Sequence, residues 1–198
     1  MKAVRTFAPF FPASLFLVGI LSAGEIHGTV TARIVKYQKD AVVYVDKIEG
    51  AVFDPPDESI VMDQHNLAFI PRVLPILVGS RVDFLNSDDV LHNVFSPDKV
   101  ADRFNLGTYP RNERRSKLFN KPGEAVVLCN VHPEMEAYVV VLETPYFAVT
   151  DEKGNYLIEN VPEGTYTLKV WSEKYGSVPQ GVNVPHEGAA KVIFRLEK

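Results

Sequence analysis

The sequence predicts an all-β protein with a compact β-sandwich between two junctions. Three observations predict it. Short runs of Val, Ile, Tyr and Phe recur along the chain with turn residues between them, which is the pattern of strands. No long stretch places apolar residues at helical spacing. Two proline-bearing junctions, Asp54-Pro55-Pro56-Asp57 and Thr144-Pro145, enclose about 87 residues, an amount that suits one compact sandwich.

Taken in order, Ala41 to Val45 is the first apolar strand. Ile76 to Val78, Gly79-Ser80 and Val82 to Leu85 read as a hairpin, with Val82 and Phe84 on one face and Arg81 and Asp83 on the other. Asp98 to Asn105 is the one stretch with the character of a helical turn. Pro122-Gly123 is a turn before the strand Ala125 to Cys129. Tyr138 to Leu142 is apolar throughout and reads as a strand buried on both faces. Gly154-Asn155 is a hairpin-type turn. Pro162-Glu163-Gly164 is another tight turn, with a glycine able to take positive φ. Thr165 to Trp171 alternates strictly: Tyr166, Leu168 and Val170 on one side, Thr167, Lys169 and Trp171 on the other.

The composition, 46% hydrophobic and 23% charged, is that of a folded chain rather than a disordered one. The beginning differs from the rest. Lys2 and Arg5 precede an apolar run from Phe7 to Leu21, and Ser22, Ala23 and Gly24 follow before Glu25. That is the order of a secretory signal peptide, residues 1–24, which implies a periplasmic or extracellular protein. The run is short for a membrane span and contains Pro9 and Pro12; a retained anchor is the alternative. Losing Lys2 and Arg5 takes the formal charge from −4 to −6, which makes nucleic acid a poor partner. Nothing else in the chain is apolar enough to cross a membrane.

One cysteine is present, Cys129. In an oxidising compartment an unpaired thiol calls for an explanation: an intermolecular bridge, a nucleophile, a metal ligand or an inert buried residue. Its neighbours favour a ligand. Cys129-Asn130-Val131-His132-Pro133-Glu134-Met135 places thiolate, imidazole and thioether within seven residues, on a turn between two predicted strands. Thiolate and thioether are soft donors suited to copper, and two imidazoles, one thiolate and a weak axial Met describe a blue-copper site. The second imidazole must come from elsewhere. His92 is the best candidate, because it follows the strand Val82 to Leu85 and loops at one end of a sandwich converge. Zinc is the metal rival, although a Met ligand would be odd for it. A Cys129–His132 nucleophilic dyad lacks any sign of an orienting third group or an oxyanion hole. Each residue alone has a plainer reading, Cys129 and Met135 as core and His92 as structural.

The stretch from about Ile60 to Leu142 resembles the cupredoxins of the plastocyanin and amicyanin type. The resemblance lies in Phe69-Ile70-Pro71, Val78-Gly79, Val82-Asp83-Phe84-Leu85-Asn86, His92-Asn93-Val94, Pro122-Gly123 and the short Cys-x2-His-x2-Met loop. It implies a Greek-key sandwich holding one type 1 copper, with Cys129, His92 and His132 in a trigonal plane and Met135 axial. It also implies that Asn93 pins the ligand loop by hydrogen bonds, with Asn130 completing that role. A second resemblance, to the carboxypeptidase regulatory-like (prealbumin-like) sandwich, rests on Thr150-Asp151 through Gly154, Tyr156 and Ile158, and on Asn160-Val161-Pro162 through Trp171. That family opens with a strand of the Gly28-Thr29-Val30 kind and a second like Ala41 to Val45. Residues 25–56 and 144–198 are therefore expected to share one sandwich, with the cupredoxin domain, 57–143, inserted; the alternative is that residues 25–50 extend the middle domain. Proteins labelled plastocyanin-like or methylamine-utilisation-like join the same two modules.

The expected function is a single-electron carrier between redox partner proteins, not an enzyme. A copper-binding or delivery protein without electron transfer is the alternative, and a structural module with incidental metal is a third reading. Arg111, Arg114, Arg115 and Lys117 form a basic cluster, read as a solvated strand face before a docking patch for an acidic partner. Pro133 and its neighbours would surround the exposed edge of His132. His27, His65 and His186 read as solvated. No phosphate loop, dinucleotide fingerprint or carboxylate pair stands out.

Overall fold

The computed structural model describes residues 23–197. The signal-peptide reading falls on residues 1–24, and 1–22 lie outside the described residues; Ala23 and Gly24 open the first strand. In chain order the strands are β1 (Ala23–Ala32), β2 (Val42–Val45), β3 (Ile60–His65), β4 (Ala68–Ile70), β5 (Val73–Leu77), β6 (Arg81–Asn86), β7 (His92–Ser96), β8 (Phe104–Tyr109) and β9 (Arg114–Leu118). They continue with β10 (Gly123–Leu128), β11 (Glu136–Leu142), β12 (Phe147–Val149), β13 (Asn155–Pro162), β14 (Gly164–Ser172), β15 (Gly176–Val184) and β16 (Ala189–Leu196). A single short 3-10 turn, Val35–Tyr37, is the only helical element among the described residues.

The architecture is all-β, with two sandwiches. In the first, the sheet β4-β3-β6-β9 faces the sheet β5-β11-β10-β7-β8. Met62, Ile76, Phe84, Tyr109, Val127 and Val139 meet between them. In the second, the sheet β13-β1-β16 faces β12-β2-β14-β15, over Ile26, Val43, Leu168, Val170 and Phe194. Strand β1 lies between β13 and β16, and β2 between β12 and β14. The first and last stretches of the chain thus share hydrogen-bonded sheets. Burying each Val, Leu, Ile or Phe of these cores stabilises the fold by roughly 1.5–3 kcal/mol relative to leaving it in water.

Strand β11 shows why one run is apolar throughout. Ala137, Val139 and Val141 enter the first core. Tyr138, Val140 and Leu142 point the other way, into a third cluster with Val42, Tyr44, Val73 and Trp171. That third cluster joins the two sandwiches. Close approach elsewhere demands glycine. A Cβ on Gly28 would lie 1.7 Å from the Val192 carbonyl oxygen, so β1 can run against β16 only without one. Gly154, at φ +79°, sits as tightly under the Val30 carbonyl, 2.1 Å from an added Cβ.

Three local expectations are corrected. The segment 76–85 is not a hairpin, because β5 and β6 lie in opposite sheets. Ile76 and Phe84 both face the core between those sheets, so the chain crosses the sandwich at Gly79-Ser80 instead of folding back within one sheet. The Gly154-Asn155 turn likewise links β12 and β13 across the second sandwich. Asp98 to Asn105 forms no helix. Asp102 and Arg103 take φ of +58° and +43°, which stops a right-handed helix, and β8 begins at Phe104.

Candidate metal centre

Leu128 and Glu136 are cross-strand partners in the β10–β11 ladder, so residues 129–135 form a loop with both ends fixed. The Met135 N–H donates to the His132 carbonyl at 3.0 Å and tightens that loop. Strand β7, which begins at His92, pairs with β10 at Phe95–Leu128. This pairing carries His92 to the loop. His92 is fully buried, Cys129 is 4% exposed and Met135 1%. His132 is half-buried.

The nitrogen and sulfur donors of His92, Cys129 and His132 all lie within 4.8 Å of one another. The two histidines approach through Nδ1, at 3.0 Å. Two nitrogens each about 2.0–2.1 Å from one ion stand about 3 Å apart at ordinary bond angles. A neutral imidazole can offer its unprotonated nitrogen to a cation, and both Nδ1 atoms stand at that spacing. The set therefore fits a metal ion, and a thiolate with two imidazoles fits copper. Met135 belongs to the same buried cluster as Cys129. Among the described residues no other group of three or more His, Cys, Asp or Glu side chains meets in this way.

The surroundings define how the ligands are held. His92 Nε2 lies 2.8 Å from Asp88 Oδ2. The carboxylate can only accept, so Nε2 carries the proton and Nδ1 keeps its lone pair for the site. Asp88 is itself gripped by the N–H groups of Asn66 (2.7 Å) and Leu67 (3.0 Å), at the β3–β4 turn. Burial pulls the Asp88 carboxyl upward, but the Leu67 N–H, His92 and the Asn66 N–H outweigh it and hold its pKa below the ordinary carboxylate value. Asn93 ties the other side. Its N–H donates to Cys129 Sγ at 3.4 Å, and its Oδ1 accepts from the Asn130 N–H at 3.4 Å. Its side-chain amide donates to Asn105 Oδ1 at 2.8 Å, which orients it.

Asp88 and Asn105 were not singled out as functional from the sequence. The signal for Asp88 was an acid four residues before a histidine ligand, since a ligating imidazole usually donates its far N–H to a carboxylate or carbonyl. Asn105 left no signal, because only the β7–β8 pairing sets it beside Asn93. The other histidines stand apart from the cluster. His65 Nδ1 is 3.7 Å from Asp88 Oδ1, and His186 is 3.1 Å from Glu163. His27 lies within β1, opposite Leu157 and Lys191. In the basic cluster, Arg111 pairs with Asp89, Arg114 with Asp83 and Arg115 with Glu113, while Lys117 lies over the Phe104 ring. Much of that charge is met locally. Val90, Leu91, Val131 and Leu67 are exposed apolar residues on the segments that carry or adjoin the ligands. No helix of the described residues is long and apolar enough to cross a membrane.

Comparison with solved structures finds partial likenesses to copper proteins. A copper-containing nitrite reductase from Thermus scotoductus SA-01 is 26% identical, with a TM-score of 0.42, over 50% of this chain and 25% of its own. The chain thus spans about a quarter of that reductase. An oxidised amicyanin variant is 25% identical, with a TM-score of 0.40, over 43% of this chain and 84% of its own. A reduced amicyanin variant is 23% identical, with a TM-score of 0.41, over 52% and 98%. Comparison with curated protein sequences finds no match. The family model of the carboxypeptidase regulatory-like domain matches residues 132–197. Its first part overlaps β11, which hydrogen-bonds to β10 and β5 in the first sandwich, so the hydrogen bonding places the start of the second sandwich later than the match does. That match takes in strands β12 to β16 of the second sandwich, while the first sandwich holds the His92–Cys129–His132 cluster.

Proposed function

We propose that this protein is an exported type 1 copper protein that carries single electrons between redox partner proteins. The observation that carries the reading is the Nδ1-to-Nδ1 approach of His92 and His132 beside Cys129, at a site where His92 and Cys129 are buried. Copper would be held by His92, Cys129 and His132, with Met135 as a weaker thioether donor, and would supply the Cu(I)/Cu(II) couple. The chain's part is to hold the donors still. His92 comes from the start of a paired strand and the other three from a loop fixed at both ends. Ligands held this way move little between oxidation states, which favours fast electron exchange. Burial of His92 and Cys129 also favours retention of the metal over its delivery, because a receiving protein would have to reach both. No substrate is transformed, and the N-terminal segment directs the protein to the periplasm or the exterior.

The test is to add Cu(II) to the purified protein and record its visible spectrum and a redox titration. The expected result is an intense thiolate-to-copper band that vanishes in Cys129→Ser, with a reversible one-electron couple. Tight Cu(I) binding without a reversible couple would replace the reading by copper handling. Absence of copper binding would remove both.

A further inference from the structure

The second sandwich has no part in the ligand set, yet it touches the base of the ligand loop through two separate contacts. Both converge on Glu136, the residue after Met135 and the cross-strand partner of Leu128. Glu136 Oε1 accepts from the Tyr138 hydroxyl at 2.9 Å and from Arg72 Nη2 at 3.4 Å. Each of these donors is held in turn by a side chain of the second sandwich. Arg72 Nη2 donates to Glu173 Oε2 at 2.7 Å, just beyond the end of β14. Tyr138 packs against Trp171 of β14, with ring centroids 5.2 Å apart. Arg72 also lies over the Tyr138 ring, 5.5 Å from its centre, and its carbonyl accepts the Tyr138 N–H at 2.9 Å. Trp171 is 4% exposed, so the aromatic contact is part of the packed cluster between the sandwiches.

We infer that Trp171 and Glu173 are positioning residues for the metal loop, acting through Tyr138, Arg72 and Glu136 on the placement of Met135. The inference rests on the copper reading above. Met135 closes the loop, and Glu136 is the first residue after it that is hydrogen-bonded into the sheet. A weak axial donor is the ligand most sensitive to such placement, and its interaction tunes the reduction potential. The second sandwich then acts as a brace that sets the electronic properties of a site it does not touch. An exposed ion pair on its own is worth little. Here it is backed by a buried aromatic pair and a shared acceptor, and the groups act together.

The experiment uses the full chain with Trp171→Leu, Trp171→Phe and Glu173→Gln. In the copper-free protein, amide exchange at Met135 and Glu136 is expected to quicken in Trp171→Leu, and roughly two- to fivefold in Glu173→Gln. Exchange in β3 and β6 is expected to stay unchanged, and Trp171→Phe to restore the native rate. In the copper-loaded protein, Trp171→Leu is expected to shift the reduction potential without altering any charge, and Trp171→Phe to return it. Uniformly faster exchange across both sandwiches would overturn the inference, as would local loosening without a shift in potential. If Trp171→Leu does not fold, Glu173→Gln decides by the same two readouts. If the native chain binds no copper, the proposed function fails, and the exchange measurement alone decides whether the second sandwich anchors the loop.

Discussion

His92 and His132 stand 40 residues apart in the chain and face each other through Nδ1 at 3.0 Å. The Nε2 proton of His92 is committed to Asp88, so its Nδ1 presents a lone pair. His132 must then either donate its own Nδ1 proton or share a cation with its neighbour. The 3.0 Å spacing is one that a single ion could bridge, with the ring planes 66° apart.

Met135 is the ligand candidate whose loss should be tolerated. Met135→Leu keeps the apolar volume of a residue only 1% exposed. The variant is expected to bind copper and keep its intense colour while its reduction potential moves, as voltammetry would register. Loss of copper binding would instead mean that Met135 carries more of the site than an axial donor does.

Asp88 should control affinity. In Asp88→Asn the shape remains but the charge that holds the His92 Nε2 proton is gone. Copper affinity is expected to fall roughly 10–100-fold, measured by titration against a competing chelator, with the fold unchanged by circular dichroism. An affinity within a factor of about two of the native value would show that packing and a neutral acceptor orient His92 without the charge.

Asp151 should contribute to acid sensitivity in the second sandwich. Its carboxylate accepts from the Lys153 and Asn155 N–H groups and from the Asn155 side chain. Those bonds, the Asn155 side chain first, lower its pKa below 3.8. A depressed carboxyl pKa stabilises the fold fully above the unfolded value, and the contribution is lost as pH falls through the folded one. Asp151→Ala is thus expected to be less stable than the native chain at neutral pH. The gap should narrow as pH falls below the ordinary carboxyl value and through the lowered native one. Urea unfolding across that range checks it, and a gap independent of pH would assign the effect to the hydrogen-bonded turn and not to the charge.

Gly28→Ala probes the approach of β1 to β16. The added Cβ meets the Val192 carbonyl at 1.7 Å, and backbone cannot move aside cheaply. A loss of about 1–3 kcal/mol or more is expected in urea unfolding. A neutral result would mean that the two strands separate more easily than their parallel ladder implies.

Several features were legible because they are local. Alternation marked Thr165 to Trp171 as a strand, and Leu168 and Val170 do lie inside while Trp171 faces the other way. The unbroken apolar run of Tyr138 to Leu142 signalled two covered faces, and both are covered. The turn residues at Gly79-Ser80 and Gly154-Asn155 were legible as turns and misleading as hairpins. A turn states that the chain reverses; it does not state whether the next strand joins the same sheet or crosses the core. That choice depends on which faces are apolar across the whole sandwich, and Ile76 and Phe84 meet only there.

The sequence by itself determined the all-β class, the strands that alternate, and the donors spaced within 129–135, because each follows from neighbours along the chain. The tertiary structure alone decided what lies beside those donors. It brought His92 to His132, set Asn93 against Cys129, and laid Trp171 on Tyr138 at the base of the loop. The physical reason is that strand pairing is non-local. Residues 33 to 40 positions apart meet here only because a particular register is hydrogen-bonded, and side-chain period reports which face a residue occupies, not which strand it will meet.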